Sequence, residues 1–143
     1  LSTIETIVGI KEASGDISQI GELAVKVPKD FNIFSGDDAN TLPIIALGGV
    51  GIISVVANQV PRMVTELTHL CLEGRFEKAR DLQKKLYYLM KFNFIETNPI
   101  PVKAGLAMMG LIEESYRLPL VPMKKENRDK LRGALEELGL IKQ

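Results

Sequence analysis

The sequence has no tryptophan, one cysteine and one histidine in 143 residues, and its 18 basic side chains are matched by 18 acidic ones. Each scarcity closes off a class of function. A lone Cys71 cannot build a disulfide framework, and with His69 as its only histidine companion it cannot complete a zinc site, so no metal is expected. A single free thiol reads as a protein of a reducing compartment, the cytoplasm. Zero net charge leaves no basic surplus to displace counterions from phosphates, so nucleic acid is not an expected partner. Long hydrophobic runs are missing too. The longest, Ile44 to Ala57, is too short to span a membrane and is broken by Gly48, Gly49 and Gly51. The opening Leu1-Ser2-Thr3-Ile4-Glu5 has neither the basic nor the apolar region of an export signal. A start at Leu rather than Met points to a processed or partial polypeptide. What remains is ordinary for a globular domain with a core: 45% hydrophobic and 25% charged residues.

Two patterns alternate in the first half. Ile7-Val8-Gly9-Ile10 reads as a buried strand, bounded by the turn-like Ala13-Ser14-Gly15-Asp16. Asp16 or Ser18 can cap a helix with apolar positions Ile17, Ile20, Leu23, Ala24 and Val27, ended near Pro28. Phe31 to Phe34 is a second strand, Thr41 to Leu47 a short helix, and Gly51 to Val56 a third strand. Apolar runs separated by helices indicate a parallel sheet covered on its faces. Right-handed crossovers place all three strand ends on one edge, where ligand sites of such folds form. That edge receives Lys11-Glu12, Ser35-Gly36-Asp37 and Ala57-Asn58.

From Pro61 the pattern is helical. Val64, Leu67, Thr68, Cys71 and Leu72 make one stripe, closed by Gly74. Phe76, Ala79, Leu82, Leu86, Leu89, Met90 and Phe94 make a second, closed near Asn98-Pro99. Pro101 opens a third helix capped at Gly110, Arg117 to Pro122 is an extended connector, and Glu126 to Leu138 is a last helix. Three strands alone leave both sheet edges unpaired, which suggests that further strands belong to the fold.

Lys11 carries the most chemical information. At the end of a buried strand its ammonium is disfavoured, and a desolvated amine at that edge is a good nucleophile toward a carbonyl, forming an imine. The pattern by itself favours a plainer role, a strand-end lysine extending to water. Asp37 and Asp38 suit general acids or magnesium ligands, but Asp after a strand is more often a helix cap. Gly48-Gly49-Val50-Gly51 precedes a strand, whereas a dinucleotide fingerprint follows one, so that motif is rejected. Glu96 to Pro101 reads as a rigid corner, and Met108-Met109 as helix packing. The charges between Lys124 and Glu137 balance as a solvated face.

Five segments, in collinear order, resemble the 4-hydroxy-tetrahydrodipicolinate synthase (dihydrodipicolinate synthase) family. Val8-Gly9-Ile10-Lys11-Glu12-Ala13-Ser14-Gly15-Asp16 resembles its imine-forming lysine strand, and Phe34-Ser35-Gly36-Asp37-Asp38 the end of its next strand. Gly48 to Asn58 resembles its eighth strand. Glu96-Thr97-Asn98-Pro99-Ile100-Pro101-Val102-Lys103 and Arg117-Leu118-Pro119-Leu120 resemble its C-terminal helical segment.

The resemblance implies an α/β fold: part of a (β/α)8 barrel, strands six to eight in residues 1–73, followed by a C-terminal helical extension in residues 74–143. It implies a lyase of lysine and diaminopimelate biosynthesis in which Lys11 forms a Schiff base with pyruvate. The derived enamine then attacks L-aspartate semialdehyde. The protonated imine is the electron sink, so neither metal nor organic cofactor is implied. Ile53 matches the position whose backbone carbonyl contacts pyruvate. The family's tyrosine relay, carboxylate-binding threonines, second-substrate arginine and most of its lysine-inhibitor site fall in the N-terminal half-barrel, outside this sequence. Tyr87, Tyr88 and Tyr116 are not that relay. A homotetramer is implied, and negligible turnover without the rest of the barrel. Two alternatives stand beside this reading: an aldolase for N-acetylneuraminate or 2-keto-3-deoxygluconate, and a non-catalytic half-barrel module.

Overall fold

The computed structural model describes residues 1–142. Among these are three parallel strands, β1 (Gly9–Glu12), β2 (Asn32–Ser35) and β3 (Gly51–Ile52), in the order β1-β2-β3. Helix α1 (Ile17–Lys26) links β1 to β2. A 3-10 turn at Asp38–Asn40 and α2 (Thr41–Ala46) link β2 to β3. The rest is helical: α3 (Pro61–Leu72), α4 (Phe76–Phe92), α5 (Ile100–Met108) and α6 (Lys125–Glu137). The strand–helix alternation and the helical second half are as expected from the sequence.

Local chemistry sets the element ends. The Asp16 carboxylate accepts from the amides of Ser18 (2.9 Å) and Gln19 (3.2 Å), satisfying donors that the first turn of α1 leaves free. Pro61 opens α3, where its missing N–H costs nothing. Gly74, Gly110 and Gly139 end α3, α5 and α6 with positive φ of 70°, 73° and 69°, which a side chain would resist.

The register pairs Lys11 with Phe34 and Phe34 with Gly51. Alternation then separates two faces. Ile10 and Ile33 pack beneath α1 and α2 with Ile20 and Ile44, while Lys11, Phe34 and Gly51 share the opposite face. A second, larger core joins Ile45 and Val56 to Leu67, Leu86, Leu89, Ala104, Leu131 and Leu135. The helical half is therefore packed onto the sheet half through one continuous apolar cluster, which fixes α5 relative to the strand ends.

Three expectations shift. β1 begins two residues later than its apolar run, because pairing sets the ladder: the Asn32 amide reaches the Val8 carbonyl (2.9 Å) and the Gly36 amide that of Glu12 (2.6 Å). Lys11 thus lies inside the strand. β3 is cut short after Ile52. The Asp38 carboxylate accepts from the amides of Val55 (3.0 Å) and Val56 (3.3 Å), drawing the chain out of the sheet and into a 3-10 turn at Val56–Asn58. Finally, Leu72 is half exposed and Leu70 is buried, since α3 is packed by α2 on one side and α4 on another.

Candidate active site

The C-terminal ends of the strands face the N-terminal end of α5 across a cleft of about 390 Å³. One wall carries Lys11, Ile53, Ser54, Val55 and Asn58; the other carries Asn98, Pro99, Val102, Lys103 and Leu106. Lys11 and Ile53, the two residues singled out by resemblance, therefore share one cleft. The Lys11 side chain lies along the end of β2. A Cβ on Gly36 would sit 2.8 Å from its Cε and 2.9 Å from its Cγ, so only glycine leaves that path open.

Lys11 is exposed, not buried as its strand position suggests. The reason is topological. β1 is an edge strand, and among the described residues no strand pairs with its outer edge. The neighbouring Glu12 points the opposite way and is buried, accepting from the Ser14 amide (3.0 Å) and the Gln19 side chain (3.4 Å).

Ile53 follows β3, and its amide donates to the Ser35 carbonyl at 2.8 Å. Its side chain is half exposed. The loop that carries it is anchored from below by Asp38, whose carboxylate accepts from the Ser54 hydroxyl as well as from the two amides named above. Asp38 is fully buried, and desolvation pushes its pKa above the ordinary carboxylate value, against the opposing pull of these three donors. Asp37 caps the 3-10 turn, accepting from the Ala39 amide (3.0 Å) and Asn40 side chain (2.9 Å). Neither aspartate lines the cleft. Asp37 is the cap that its position suggested; the anchoring role of Asp38 was not legible, because its partners lie 16 to 18 residues away.

The sequence also gave no sign of what holds the far wall. Gln59 is buried and bridges it: its amide nitrogen donates to the Val102 carbonyl (3.3 Å), and its oxygen accepts from Asn93 (2.8 Å). The peptide bonds Asn98–Pro99 and Leu118–Pro119 are cis. The lysine at 103 is tethered, its ammonium donating to the Ser115 carbonyl and standing 5.3 Å from the centroid of the Tyr116 ring. Burial, aided by Glu114, pushes the Tyr116 hydroxyl well above the usual phenol range.

A larger groove of about 880 Å³ runs between α3 and α4 and contains His69. Its walls mix Arg62, Arg75, Lys78 and Lys85 with Glu66, Glu73 and Asp81, and none of Lys11, Ile53, Asp37 and Asp38 lies in it. Cys71 is buried nearby, and burial pushes its thiol up, away from reactivity. No grouping of three metal-ligating side chains occurs among the described residues, and no described helix is long and apolar enough to cross a membrane.

Comparison with known proteins decides which lineage this cleft comes from. The profile of the dihydrodipicolinate synthetase family matches residues 1–138. The chain belongs to that family. The 4-hydroxy-tetrahydrodipicolinate synthase of Koribacter versatilis is 50% identical over 142 residues, covering 99% of this chain and 47% of its own length. The crystal structure of dihydrodipicolinate synthase from Aquifex aeolicus superposes with a TM-score of 0.93 at 45% identity, over 99% of this chain and 49% of that one. The chloride-inhibited synthase of Acinetobacter baumannii, crystallised with pyruvate, superposes at 0.94 with 38% identity, over 99% and 48%. The chain thus spans about half the length of the relatives it matches, and its three strands and helices have the arrangement of a partial barrel.

Proposed function

We propose that this chain is the C-terminal part of a 4-hydroxy-tetrahydrodipicolinate synthase, contributing strands six to eight of the barrel (residues 1–73) and the helical extension (74–143). In its uncharged form the Lys11 amine adds to the keto carbon of pyruvate. Loss of water leaves a protonated imine on Nζ, whose positive charge acidifies the methyl group. Removal of one methyl proton gives an enamine, and its terminal carbon attacks the aldehyde of L-aspartate semialdehyde. The Ile53 backbone carbonyl is the pyruvate contact on the facing loop.

The observation that carries this reading is the placement of Lys11 and Ile53 on one cleft, at the C-terminal ends of parallel strands, where barrel enzymes of many chemistries keep their reacting groups. The exposure of Lys11 supports dependence of turnover on the rest of the barrel, which would exclude bulk water from the cleft. The exposed apolar residues Ile17, Val25 and Leu47 support assembly into a homo-oligomer.

Incubation with pyruvate and borohydride, followed by peptide mass mapping, tests the proposal. A reduced pyruvate adduct concentrated on Lys11, and absent in Lys11→Ala, is expected. Adducts spread evenly over surface lysines in the folded protein would refute it.

A further inference from the structure

Beside Lys11 stands a residue whose presence stability does not explain. The Glu12 side chain turns to the sheet face opposite Lys11 and is only 6% exposed. Its Oε1 accepts from the Ser14 amide (3.0 Å) and the Gln19 side chain (3.4 Å). Its Oε2 is buried, and no donor among the described residues reaches it. A buried carboxylate with a stranded oxygen costs free energy, whereas Ser14 and Gln19 are exposed and can turn to water instead. An unsatisfied buried group beside a reacting one points to a role other than holding the fold together.

Glu12 bounds the path of the Lys11 side chain on two sides. Its backbone carbonyl accepts from the Gly36 amide (2.6 Å), fixing the glycine over which the lysine runs. Its carboxylate, by taking the Ser14 amide, closes a tight turn about Ala13, and the Gln19 contact ties that turn to the start of α1. Ala13 and Lys11 then converge on one spot: a Cβ at position 36 would meet both the Ala13 Cβ and the Lys11 Cε at 2.8 Å. We propose that Glu12 is a positioning residue for imine formation, its carboxylate holding the turn after β1 so that Ala13 and Gly36 confine Lys11 to the track into the cleft. The inference rests on the reading of Lys11 as the imine-forming amine. The acceptor oxygen matters here rather than the charge, because what it holds is a backbone amide.

The test pairs two substitutions of similar size. Glu12→Met removes the acceptor; Glu12→Gln keeps it and removes the charge. In trapping with pyruvate and borohydride, selective labelling of Lys11 should fall about tenfold in Glu12→Met, the effect of a misplaced amine. Glu12→Gln should recover it, and the exposed Lys84 serves as the reference peptide in each sample. The melting temperature of Glu12→Met should be no lower than that of the wild type, since the change removes a stranded oxygen and strands no buried donor. Wild-type protein supplies a measurement that needs no variant: hydrogen exchange at the Ser14 amide should be slowed, and should speed up in Glu12→Met. Undiminished Lys11 labelling in Glu12→Met, equal losses in both variants, a melting temperature lowered in step with the labelling, or a freely exchanging Ser14 amide in the wild type would each overturn the proposal while wild-type Lys11 stays labelled. Loss of selective Lys11 labelling in the wild type would instead remove the reading beneath it, and this inference with it.

Discussion

Replacing Gly105 by alanine should destabilise this protein, although helix propensity argues for the reverse. Gly105 lies within α5, where alanine is favoured over glycine by roughly 1 kcal/mol in a helix interior. The structure opposes that gain. A Cβ at position 105 would stand 2.1 Å from the Gln59 side-chain nitrogen and 3.1 Å from its Cδ. The Gln59 amide cannot step aside freely, since it is buried between the Val102 carbonyl and Asn93. Moving it breaks two buried hydrogen bonds, each worth about 1–3 kcal/mol when a partner is stranded, and overpacking adds about 1–3 kcal/mol. Set against the propensity gain, even the low ends of these ranges leave a net loss of at least about 2 kcal/mol. At about 2–4 °C of melting temperature per kcal/mol, the midpoint should fall by at least about 4 °C. Gly133→Ala is the control: it lies exposed in α6 with nothing within 4 Å of the added Cβ, so it should stabilise by about 0.5–1 kcal/mol. Urea and thermal unfolding followed by circular dichroism measure both. A Gly105→Ala protein as stable as wild type would show that the Gln59 bridge is not as tight as the geometry requires.

Two further outcomes follow from the same contacts. Gly36→Ala should push Lys11 off the end of β2 and crowd Ala13, whose Cβ would stand 2.8 Å from the new one, so it should cost about 1–3 kcal/mol, and selective borohydride trapping at Lys11 should drop by about tenfold or more. The carboxylates Asp38 and Glu114 should give pH dependences of opposite sign in urea titrations between pH 3 and 7. Burial raises the Asp38 pKa, so the native state holds that proton more tightly than the unfolded chain. Its contribution is complete below the ordinary value of 3.8 and is lost as pH rises through the folded value. The hydrogen bond from Arg128 lowers the Glu114 pKa, so its contribution is present above 4.5 and is lost as pH falls through the folded value. Asp38→Asn should remove the first slope and cost about 1–3 kcal/mol through the loop donors it strands. Glu114→Gln should remove the second, and an unchanged acid limb in that variant would contradict the assignment.

Much of the architecture is local and legible in the sequence. The spacing of Ile20, Leu23 and Ala24, the Asp16 cap, Pro61 and the closing glycines at 74, 110 and 139 act within a turn or two of the chain, so periodicity and stop signals report them directly. Family resemblance drew attention to Lys11 and Ile53, whose motifs are contiguous. Neither route could read that Asp38 ends β3 by taking the Val55 and Val56 amides, that Gln59 forbids a side chain at 105, or that Lys103 stands across the cleft from Lys11. Those are relations between residues 17 to 92 positions apart, set by how α5 and the loops pack onto the sheet. Hydrophobic pattern says which face of an element is buried; it carries no record of what is buried against it. The exposure of Lys11 has the same origin: a strand's own residues specify which way a side chain points, and only the neighbouring elements decide whether water reaches it.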